Sequence, residues 1–487
     1  MRARLFFRDP DAQHVVMAAP LPTDNPYLRG GFEPIRFECD CADLIVEGAL
    51  PPDLAGCLYR IGPNPQYAPR LPYNPLLGDG MIHAFTFGER RVSYRNRWVR
   101  TEQWQQERSA GRALFATSGN PRDADPSVAG LATNGAANTN LVWHAARLLA
   151  LEEGHAPVAI DPDSLATLGS WDFAGQLPGN LTAHPKLDPL SGEMLAFANF
   201  PGRDYSGAIE LYQIDRGGHL SRRQRIQAPF PAFVHDFAIT RSFVVFIVCP
   251  LTVSIERARR GASPVAWEGE LGNYIGVVPR PPSSGEPQWF AAPASMVWHL
   301  MNAFDDQGAV VIDGCQQEAA AFASITGAAP EPAQLQQFLT RWRVFPASGD
   351  VRTQRLSETV CEYPRLDERY LGRPYRYGYV ACGGGPGTGD PFHRAVGRFD
   401  HVTGRMDVYD FGRRNAVSEP VFVCGSEQCE EGEGHLLTVV YDEARNASHL
   451  ALLDAQDLGK GPAARVFLDH RVPMGFHGLW RPASLDP

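Results

Sequence analysis

Short apolar runs separated by turn residues are the feature of this 487-residue chain that most restricts its fold. Residues 148–151, 194–197 and 243–248 are such runs, and Asp215-Arg216-Gly217-Gly218 is a typical turn between two of them. Runs of about 4–8 apolar, often β-branched residues between turns predict strands rather than helices. Because these runs do not alternate with helical segments, the pattern predicts an all-β fold, either a propeller or another closed β-architecture.

The domain organisation follows from the same pattern. No linker-like stretch divides the chain, so we predict one domain over residues 1–487, with residues 1–30 as a peripheral N-terminal segment. A helical pattern is found only near residues 331–343. The runs have no clean repeat period, so the number of propeller blades does not follow from the residues alone.

Composition excludes several classes of protein. The net charge of −10 gives nucleic acid no basic surface to bind. Nine cysteines, an odd number, do not form a disulfide framework, and we expect reduced thiols. The N-terminus lacks the apolar core of a signal peptide, and the apolar run 243–249 is far shorter than the ~20 residues that cross a bilayer. We therefore predict a soluble, cytoplasmic protein.

Four of the fourteen histidines stand out by their context: His184, His235, His299 and His477 each lie in apolar sequence near a predicted strand end. A single histidine of this kind is usually a hydrogen-bonded core residue. Four such residues, separated by 51, 64 and 178 positions, would converge if the strands radiate around one axis. Neutral imidazoles suit iron, copper, zinc or nickel.

Several motifs together resemble the carotenoid cleavage oxygenase family, in particular its bacterial subgroup near lignostilbene dioxygenases and isoeugenol monooxygenases. The resemblance extends from about residue 35 to 480, and its motifs occur in the family's order. They are Arg60–Pro65, Gly78–His83, Asn138–Asn140, Ala183–Lys186, His235–Phe237, Trp298–Ala303 and Gly475–Gly478.

The resemblance implies a seven-bladed β-propeller whose loops and short helices cap one face over a metal site. It implies a non-haem Fe(II) on the propeller axis, held by the four histidines named above. Glu153, Glu362 and Glu419 match family glutamates that each accept the far N–H of a ligand imidazole, which fixes the tautomer of that ring. By the family pattern three ligands have such a partner and His184 has none.

Three further positions are assigned by the resemblance. Thr139 matches a residue whose methyl group crowds one open position of the iron. Phe233 and Trp298 match residues near the iron and are candidates for the walls of a substrate tunnel. The alternative for both aromatic residues is that they are ordinary core residues.

The implied reaction is the cleavage of a C=C bond with O2 to give two carbonyl products. One departure from the subgroup bears on the substrate. In the bacterial subgroup a phenol-binding lysine directly precedes the glutamate that corresponds to Glu153, helped by an upstream tyrosine. Here Glu152 occupies the lysine position and residues 100–105 contain no tyrosine. Since a carboxylate repels a phenolate, we predict a linear polyene, an apocarotenoid or carotenoid.

Other functions stay open at this point. A stilbene or phenylpropene alkene of the lignostilbene or isoeugenol type is the alternative substrate. Outside this class, a Ca²⁺-dependent propeller hydrolase and a non-catalytic binding propeller are the alternatives. The expected partners are a hydrophobic small-molecule alkene and O2, with no nucleic acid. The sequence leaves open a peripheral membrane contact, the oligomeric state and the choice between monooxygenase and dioxygenase stoichiometry.

Overall fold

The computed structural model of this chain is built almost entirely of β-strands. It describes residues 21, 24–52, 54–131, 133, 135–280, 285–321, 329–425 and 429–483. The first half of the chain contains β1 (Cys39–Cys41), β2 (Ile45–Gly48), β3 (Gly56–Pro63), β4 (Gly80–Gly88), β5 (Arg91–Trp98), β6 (Asn140–His144), β7 (Arg147–Leu151), β8 (Val158–Ile160), β9 (Thr167–Ser170), β10 (Lys186–Leu187), β11 (Met194–Asn199), β12 (Ala208–Ile214), β13 (Leu220–Gln227), β14 (Phe237–Ile239), β15 (Phe243–Val248) and β16 (Leu251–Val253). The second half contains β17 (Val265–Trp267), β18 (Asn273–Pro279), β19 (Gln288–Ala292), β20 (Met296–Asp306), β21 (Ala309–Gln317), β22 (Phe338–Phe345), β23 (Asp350–Leu366), β24 (Tyr377–Cys382), β25 (Ala395–Asp400), β26 (Arg405–Asp410), β27 (Asn415–Val417), β28 (Val421–Cys424), β29 (Gly434–Asp442), β30 (Ala447–Asp454), β31 (Pro462–Phe467) and β32 (Gly478–Pro482).

Helical segments are short and lie in the connections. Two α-helices are present in the described residues, α1 (Glu102–Ala110) and α2 (Ile255–Arg259). The 3-10 turns are Pro26–Leu28, Gly30–Phe32, Pro75–Leu77, Pro121–Asp123, Pro126–Val128, Pro201–Arg203, Gly269–Leu271, Pro332–Leu335, Glu368–Tyr370 and Leu458–Lys460. None of the described helices is both long and apolar enough to cross a membrane.

The strands form seven antiparallel blades. Their strand orders are β32-β3-β4-β5-β1 (blade 1), β6-β7-β8-β9 (blade 2), β10-β11-β12-β13 (blade 3), β14-β15-β18-β19 (blade 4), β20-β21-β22-β23 (blade 5), β23-β24-β25-β26 (blade 6) and β27/β28-β29-β30-β31-β2 (blade 7). The long strand β23 belongs to two blades, pairing with β22 through its first half and with β24 through its second. The sequence-based prediction of an all-β, seven-bladed propeller is confirmed.

The hydrophobic core lies between neighbouring blades. Each of seven buried clusters joins two consecutive blades, and the cluster between blades 7 and 1 is typical, with Leu58 and Phe85 packed against Leu437. This arrangement explains why the strands are apolar on both faces, as in the FVVFIV run of β15. Stability therefore depends on closing the ring, since an open ring would expose two such faces.

Both ends of the described chain take part in this closure. The C-terminal strand β32 pairs with β3, in a register that places Arg60 opposite Gly478. Near the N-terminal end, strand β2 pairs with β31, with Ile45 opposite Phe467. The residue that precedes β32 is His477, so ring closure and one of the predicted ligands depend on the same segment.

Two sequence-based expectations are wrong. The helical pattern near residues 331–343 corresponds to the 3-10 turn Pro332–Leu335 followed by strand β22, where Trp342 and Val344 are buried and Arg341 and Arg343 are half-buried. The expectation of reduced thiols fails for one pair, because Cys424 and Cys429 form a disulfide. Their Cα atoms are 6.3 Å apart, within the range of such bonds.

Buried polar contacts attach helix α1 to blade 1. Thr101 caps the start of the helix by accepting a hydrogen bond from the Trp104 N–H, and Gly111, in the left-handed conformation at φ 68°, ends it. Gln66 joins the helix to the blade. Its side-chain amide donates to the Trp104 carbonyl oxygen (2.8 Å), and its backbone N–H donates to Asp79 Oδ2 (3.0 Å).

We predict that this contact makes stability pH-dependent. Burial, with a smaller contribution from Glu107, raises the pKa of Asp79 from 3.8 to about 8. Between these two values the unfolded chain releases a proton that the folded protein keeps, so stability should fall as pH rises from about 4 to 8. Asp79→Asn keeps an oxygen to accept the Gln66 N–H but does not titrate. Chemical unfolding at pH 6, 7 and 8 should therefore give a flatter profile for this variant, whereas Asp350→Asn, at an exposed residue, should retain the wild-type slope.

Candidate metal centre

The inner ends of the blades supply the predicted site residues. Within each sheet these residues lie at, or directly beside, the strand at the inner edge. The blades and their contributions are His477 (blade 1), Thr139 (blade 2), His184 (blade 3), His235 (blade 4), His299 (blade 5), Glu362 (blade 6) and Glu419 (blade 7), and Glu153 follows the second strand of blade 2. Residues distant in the sequence thus meet on one axis.

The four predicted ligands lie together and are buried or nearly so. The Nε2 atoms of His184 and His235 are 3.0 Å apart, and those of His235 and His299 are 3.2 Å apart. These three side chains form a group that is able to hold a metal ion, with ligand atoms within 4.8 Å of one another. His477 stands beside this group, its ring centroid 4.6 Å from that of His184 and 4.8 Å from that of His299.

Carboxylates contact the outer nitrogens of three of the rings. His299 Nδ1 donates to Glu362 Oε2 (2.8 Å), and His477 Nδ1 donates to Glu419 Oε1 (2.9 Å).

His235 Nδ1 pairs with Glu153 Oε1. No carboxylate contacts the His184 ring among the described residues. Three of the four rings thus have a carboxylate at the outer nitrogen.

The charges of these groups are strongly perturbed by burial. Burial, followed by the three neighbouring histidines, holds the pKa of His184 well below its ordinary value. Burial also lowers the pKa of His477 to about 4, although Glu419 opposes this shift. For His299 burial is outweighed by Glu362, and its pKa is raised. Burial favours protonation of Glu362, but the His299 ring outweighs it and holds the Glu362 pKa below the usual range.

The arrangement fits a metal cation. Because a carboxylate faces Nδ1 in three of the rings, the Nε2 lone pair of each of these rings is left available to a metal. Two nitrogen ligands at right angles, each about 2.1 Å from a metal, are about 3.0 Å apart, which matches the separations seen here. Neutral imidazoles accept iron, copper, zinc or nickel, so the geometry indicates a metal without selecting it. The assignment of individual ligands stays a prediction.

Aromatic rings surround part of the cluster. Trp298 meets the His235 ring edge to face with centroids 5.3 Å apart, and Phe233 stacks on it at 6.2 Å. Tyr363, to which the sequence analysis gave no role, stacks on His299 at 5.7 Å and lies 5.8 Å from the His477 ring. Its position directly after Glu362 was the only available signal.

A cavity of about 560 Å³ reaches the same cluster. It is lined by His184, His299 and His477 and by mostly apolar side chains such as Leu141 and Leu300. Its walls carry a buried ion pair between Lys186 Nζ and Asp236 Oδ1 (2.7 Å). The two tunnel candidates Phe233 and Trp298 are not among its lining residues. The histidines therefore face aromatic rings and also a cavity whose wall is mostly apolar but contains ionic groups.

Thr139 and Glu152 differ in what their side chains contact. The Thr139 hydroxyl donates to Asn138 Oδ1 (2.9 Å), so its polar group is already bonded. Glu152, at the position of the subgroup's lysine, is buried. Its Oε2 accepts the Ala136 N–H (2.9 Å), and its Oε1 contacts His155 Nδ1.

Sequence reasoning missed the charged groups around the ligands. Lys186, Asp236, Arg60 and Arg365 were not assigned a role, although the first three lie within the motifs that carry the resemblance. Nothing in the sequence marks Arg365 except its position three residues after Glu362.

Comparisons with known proteins are consistent over nearly the whole chain. Residues 32–482 match the family model described as retinal pigment epithelial membrane protein. The chain is 35% identical to isoeugenol monooxygenase of Pseudomonas nitroreducens, covering 95% of this chain and 99% of that protein. It is 32% identical to apocarotenoid-15,15'-oxygenase of Synechocystis sp., with 95% and 99% covered. The crystal structure of Pseudomonas brassicacearum lignostilbene dioxygenase superimposes with a TM-score of 0.90 at 34% identity, covering 96% and 100% of the two chains.

We predict that Glu362→Gln weakens metal binding about 10- to 100-fold, because an amide supports the His299 ring less well than a carboxylate. Titration of metal-free protein with Fe(II) under anaerobic conditions, in competition with a chromogenic chelator, measures the affinity. Glu358→Gln is the matched control, since this glutamate lies on the same strand with 83% of its side chain exposed. Equal affinities of the two variants would contradict the assigned role of Glu362.

Proposed function

Because this chain belongs to the family of retinal pigment epithelial membrane protein and carotenoid cleavage oxygenases, we propose that it is an oxidoreductase that cleaves a C=C bond of a hydrophobic alkene with O2. One observation carries the proposal. Four imidazoles meet on the propeller axis, and three of them are supported by carboxylates. The reaction is balanced, because the alkene and one O2 molecule give two carbonyl products without an external reductant.

We assign Fe(II) as the metal, with His184, His235, His299 and His477 as its ligands. When bound, the iron supplies the activation of O2 next to the alkene. Neutral ligands leave the positive charge of the ion uncompensated, and Glu153, Glu362 and Glu419 supply the balancing charge from behind the rings.

The remaining residues position the substrate and exclude water. Phe233 and Trp298 lie against the His235 ring, where they form an apolar surface on which an alkene can pack. Tyr363 covers His299 and His477 in the same way. Thr139, whose hydroxyl is bonded to Asn138, offers its methyl group to limit access to the iron. No side chain has to transfer a proton.

A linear polyene, in particular an apocarotenoid, is the first candidate substrate. The supporting observation is Glu152, which is a buried carboxylate. In the phenol-cleaving subgroup that this chain resembles, a lysine occupies this position. A phenolate beside Glu152 would meet a like charge in a poorly solvated place. A hydrocarbon chain has no charge and avoids this penalty.

An aryl alkene is the second candidate, and overall similarity favours it. The identity to an isoeugenol monooxygenase is slightly higher than the identity to an apocarotenoid oxygenase. Both candidates belong to the same reaction class. A Ca²⁺-dependent hydrolase is less compatible with the site, because Ca²⁺ prefers oxygen ligands to imidazoles, and a binding propeller without metal would not need the supported rings.

We further propose that residues 1–487 form one domain. Ring closure by strands from both ends of the chain supports this proposal. The predicted peripheral segment 1–30 lies mostly outside the described residues. A cytoplasmic location is likewise proposed.

The substrate class is tested by a product screen. Protein loaded with Fe(II) is incubated with ¹⁸O2 and either apocarotenals, resveratrol-type stilbenes or phenylpropenes, and products are identified by mass spectrometry. We expect two carbonyl products from an apocarotenal, each with one ¹⁸O atom, and no turnover after the iron is removed by a chelator. Rapid cleavage of stilbenes with no reaction of apocarotenals would replace the first candidate by the second. No cleavage of any alkene would refute the proposed reaction.

The role of Glu152 is tested separately by Glu152→Gln. Removing one negative charge should raise kcat/KM for a 4-hydroxystilbene, relative to kcat/KM for an apocarotenal, by up to about tenfold. A factor of ten corresponds to about 1.4 kcal/mol of charge repulsion, taken at an effective dielectric constant of about 20. Glu210→Gln is the matched control, a buried carboxylate paired with Arg223 away from the histidines. An unchanged ratio of the two kcat/KM values would show that Glu152 does not influence the choice of substrate.

A further inference from the structure

Glu419 is bonded far more extensively than the other two carboxylates. Its Oε1 accepts the His477 Nδ1–H, and its Oε2 accepts hydrogen bonds from the Gly478 N–H (2.8 Å), Arg365 Nη1 (2.9 Å) and Arg60 Nη1 (3.4 Å). The Arg60 and Glu419 side chains are each less than 5% exposed. A desolvated carboxylate is stable only when it is paired, and here two guanidinium groups pair with one oxygen.

The same arginines also hold the backbone on both sides of His477. Arg60 Nη2 donates to the carbonyl oxygen of Phe476 (2.9 Å), the residue before the ligand. Arg365 Nη1 donates to the carbonyl oxygen of Gly478 (2.9 Å), the residue after it. We call Arg60, Arg365 and Glu419 the His477 bracket.

The other supported ligands have no such bracket. Glu362 accepts hydrogen bonds from His299, from the Tyr363 N–H and from Gln337 Nε2 (3.4 Å), all without a positive side chain other than the ring itself. Glu153 Oε2 has no hydrogen-bond partner in the described residues. The bracket is therefore specific to His477.

Two glycines allow Arg60 to approach. A Cβ atom on Gly478 would lie 2.8 Å from Arg60 Cδ and 2.9 Å from its Nη1, too close for either atom. A Cβ atom on Gly475 would lie 2.6 Å from the Ile61 carbonyl oxygen. The glycines on either side of Phe476 and His477 thus let this segment lie directly against strand β3.

We propose that Arg60 and Arg365 are positioning residues for His477, the ligand carried by the strand that closes the ring. They fix its backbone on both sides and occupy Glu419 Oε2, so that only Oε1 is available to orient the imidazole. The proposal rests on the proposed function in one respect, namely that the histidines hold a metal. It assigns to the two arginines the task of keeping one ligand in place where the two ends of the propeller meet.

Co(II) is the probe, because its visible spectrum reports the number and geometry of its ligands as well as its affinity. Metal-free Arg60→Met and Arg365→Met proteins are titrated with Co(II) against a competing chelator, and their thermal unfolding is followed without metal. We expect the dissociation constant to rise about 10- to 100-fold, with altered visible bands. Arg60→Lys should restore part of the affinity, since lysine keeps the charge but lacks the fork that reaches both Glu419 and Phe476.

The control is Arg341→Met, which removes another half-buried guanidinium, paired with Asp313 through two hydrogen bonds in a different blade. It should lower the unfolding temperature and leave Co(II) affinity and spectrum unchanged. Gly478→Ala is a second probe, because it displaces Arg60 without removing a charge and should reproduce the spectral change. Gly478→Ala also tests the proposal if the methionine variants fail to fold.

The outcomes separate this inference from the proposed function. The bracket is overturned if Arg60→Met and Arg365→Met bind Co(II) within twofold of the wild-type affinity and with an unchanged spectrum. If these variants do not fold, the same result for Gly478→Ala overturns it. The proposed function would stay intact in either case. Wild-type protein that binds Co(II) in the expected way but, loaded with Fe(II), cleaves no alkene would overturn the proposed function and leave the bracket intact. Failure of the wild-type protein to bind Co(II) would overturn both.

Discussion

The closure of seven sheets around one axis is the constraint on which the rest of this structure depends. Each blade is apolar on both faces and is stable only between two neighbours, so the ring has to close. Closure brings the inner ends of strands that are up to several hundred residues apart in the sequence to one place. The four imidazoles come from blades 1, 3, 4 and 5, and supporting carboxylates come from the remaining blades. The site is thus a product of the ring.

Charge balance explains why such a site needs several layers of residues. Neutral imidazoles bind a divalent cation without neutralising it, so the negative charge has to lie behind them. In the proposed centre the buried Glu362 and Glu419 and the half-buried Glu153 supply that charge, but a buried carboxylate is itself costly. Glu362 and Glu153 pair with the rings that they contact, whereas Glu419 also pairs with two arginines. This difference coincides with the location of His477 at the closure.

Sequence reasoning predicted the parts that are local or carried by motifs. Strands such as β15 follow from their β-branched composition, and motif context singles out the histidines and glutamates that the structure brings together. It failed where the determining contact is distant in sequence. Arg60 and Glu419 are 359 positions apart, so nothing near either residue indicates their ion pair. It also failed at residues 338–345, where a helical spacing of apolar residues was overridden by pairing with β21 and β23.

Two surroundings of the histidine cluster offer apolar surface to a substrate. Phe233 and Trp298 pack against the His235 ring, and the cavity that reaches His184, His299 and His477 is lined mostly by apolar side chains. Transfer of an apolar alkene from water is favourable by about 25 cal/mol per Å² of buried surface. The Lys186–Asp236 pair also lies in the cavity wall, and covering these ionic groups would remove the hydration that they retain. In the proposed reaction an alkene therefore gains most where it contacts the aromatic rings and the apolar part of the cavity wall and leaves this ion pair uncovered.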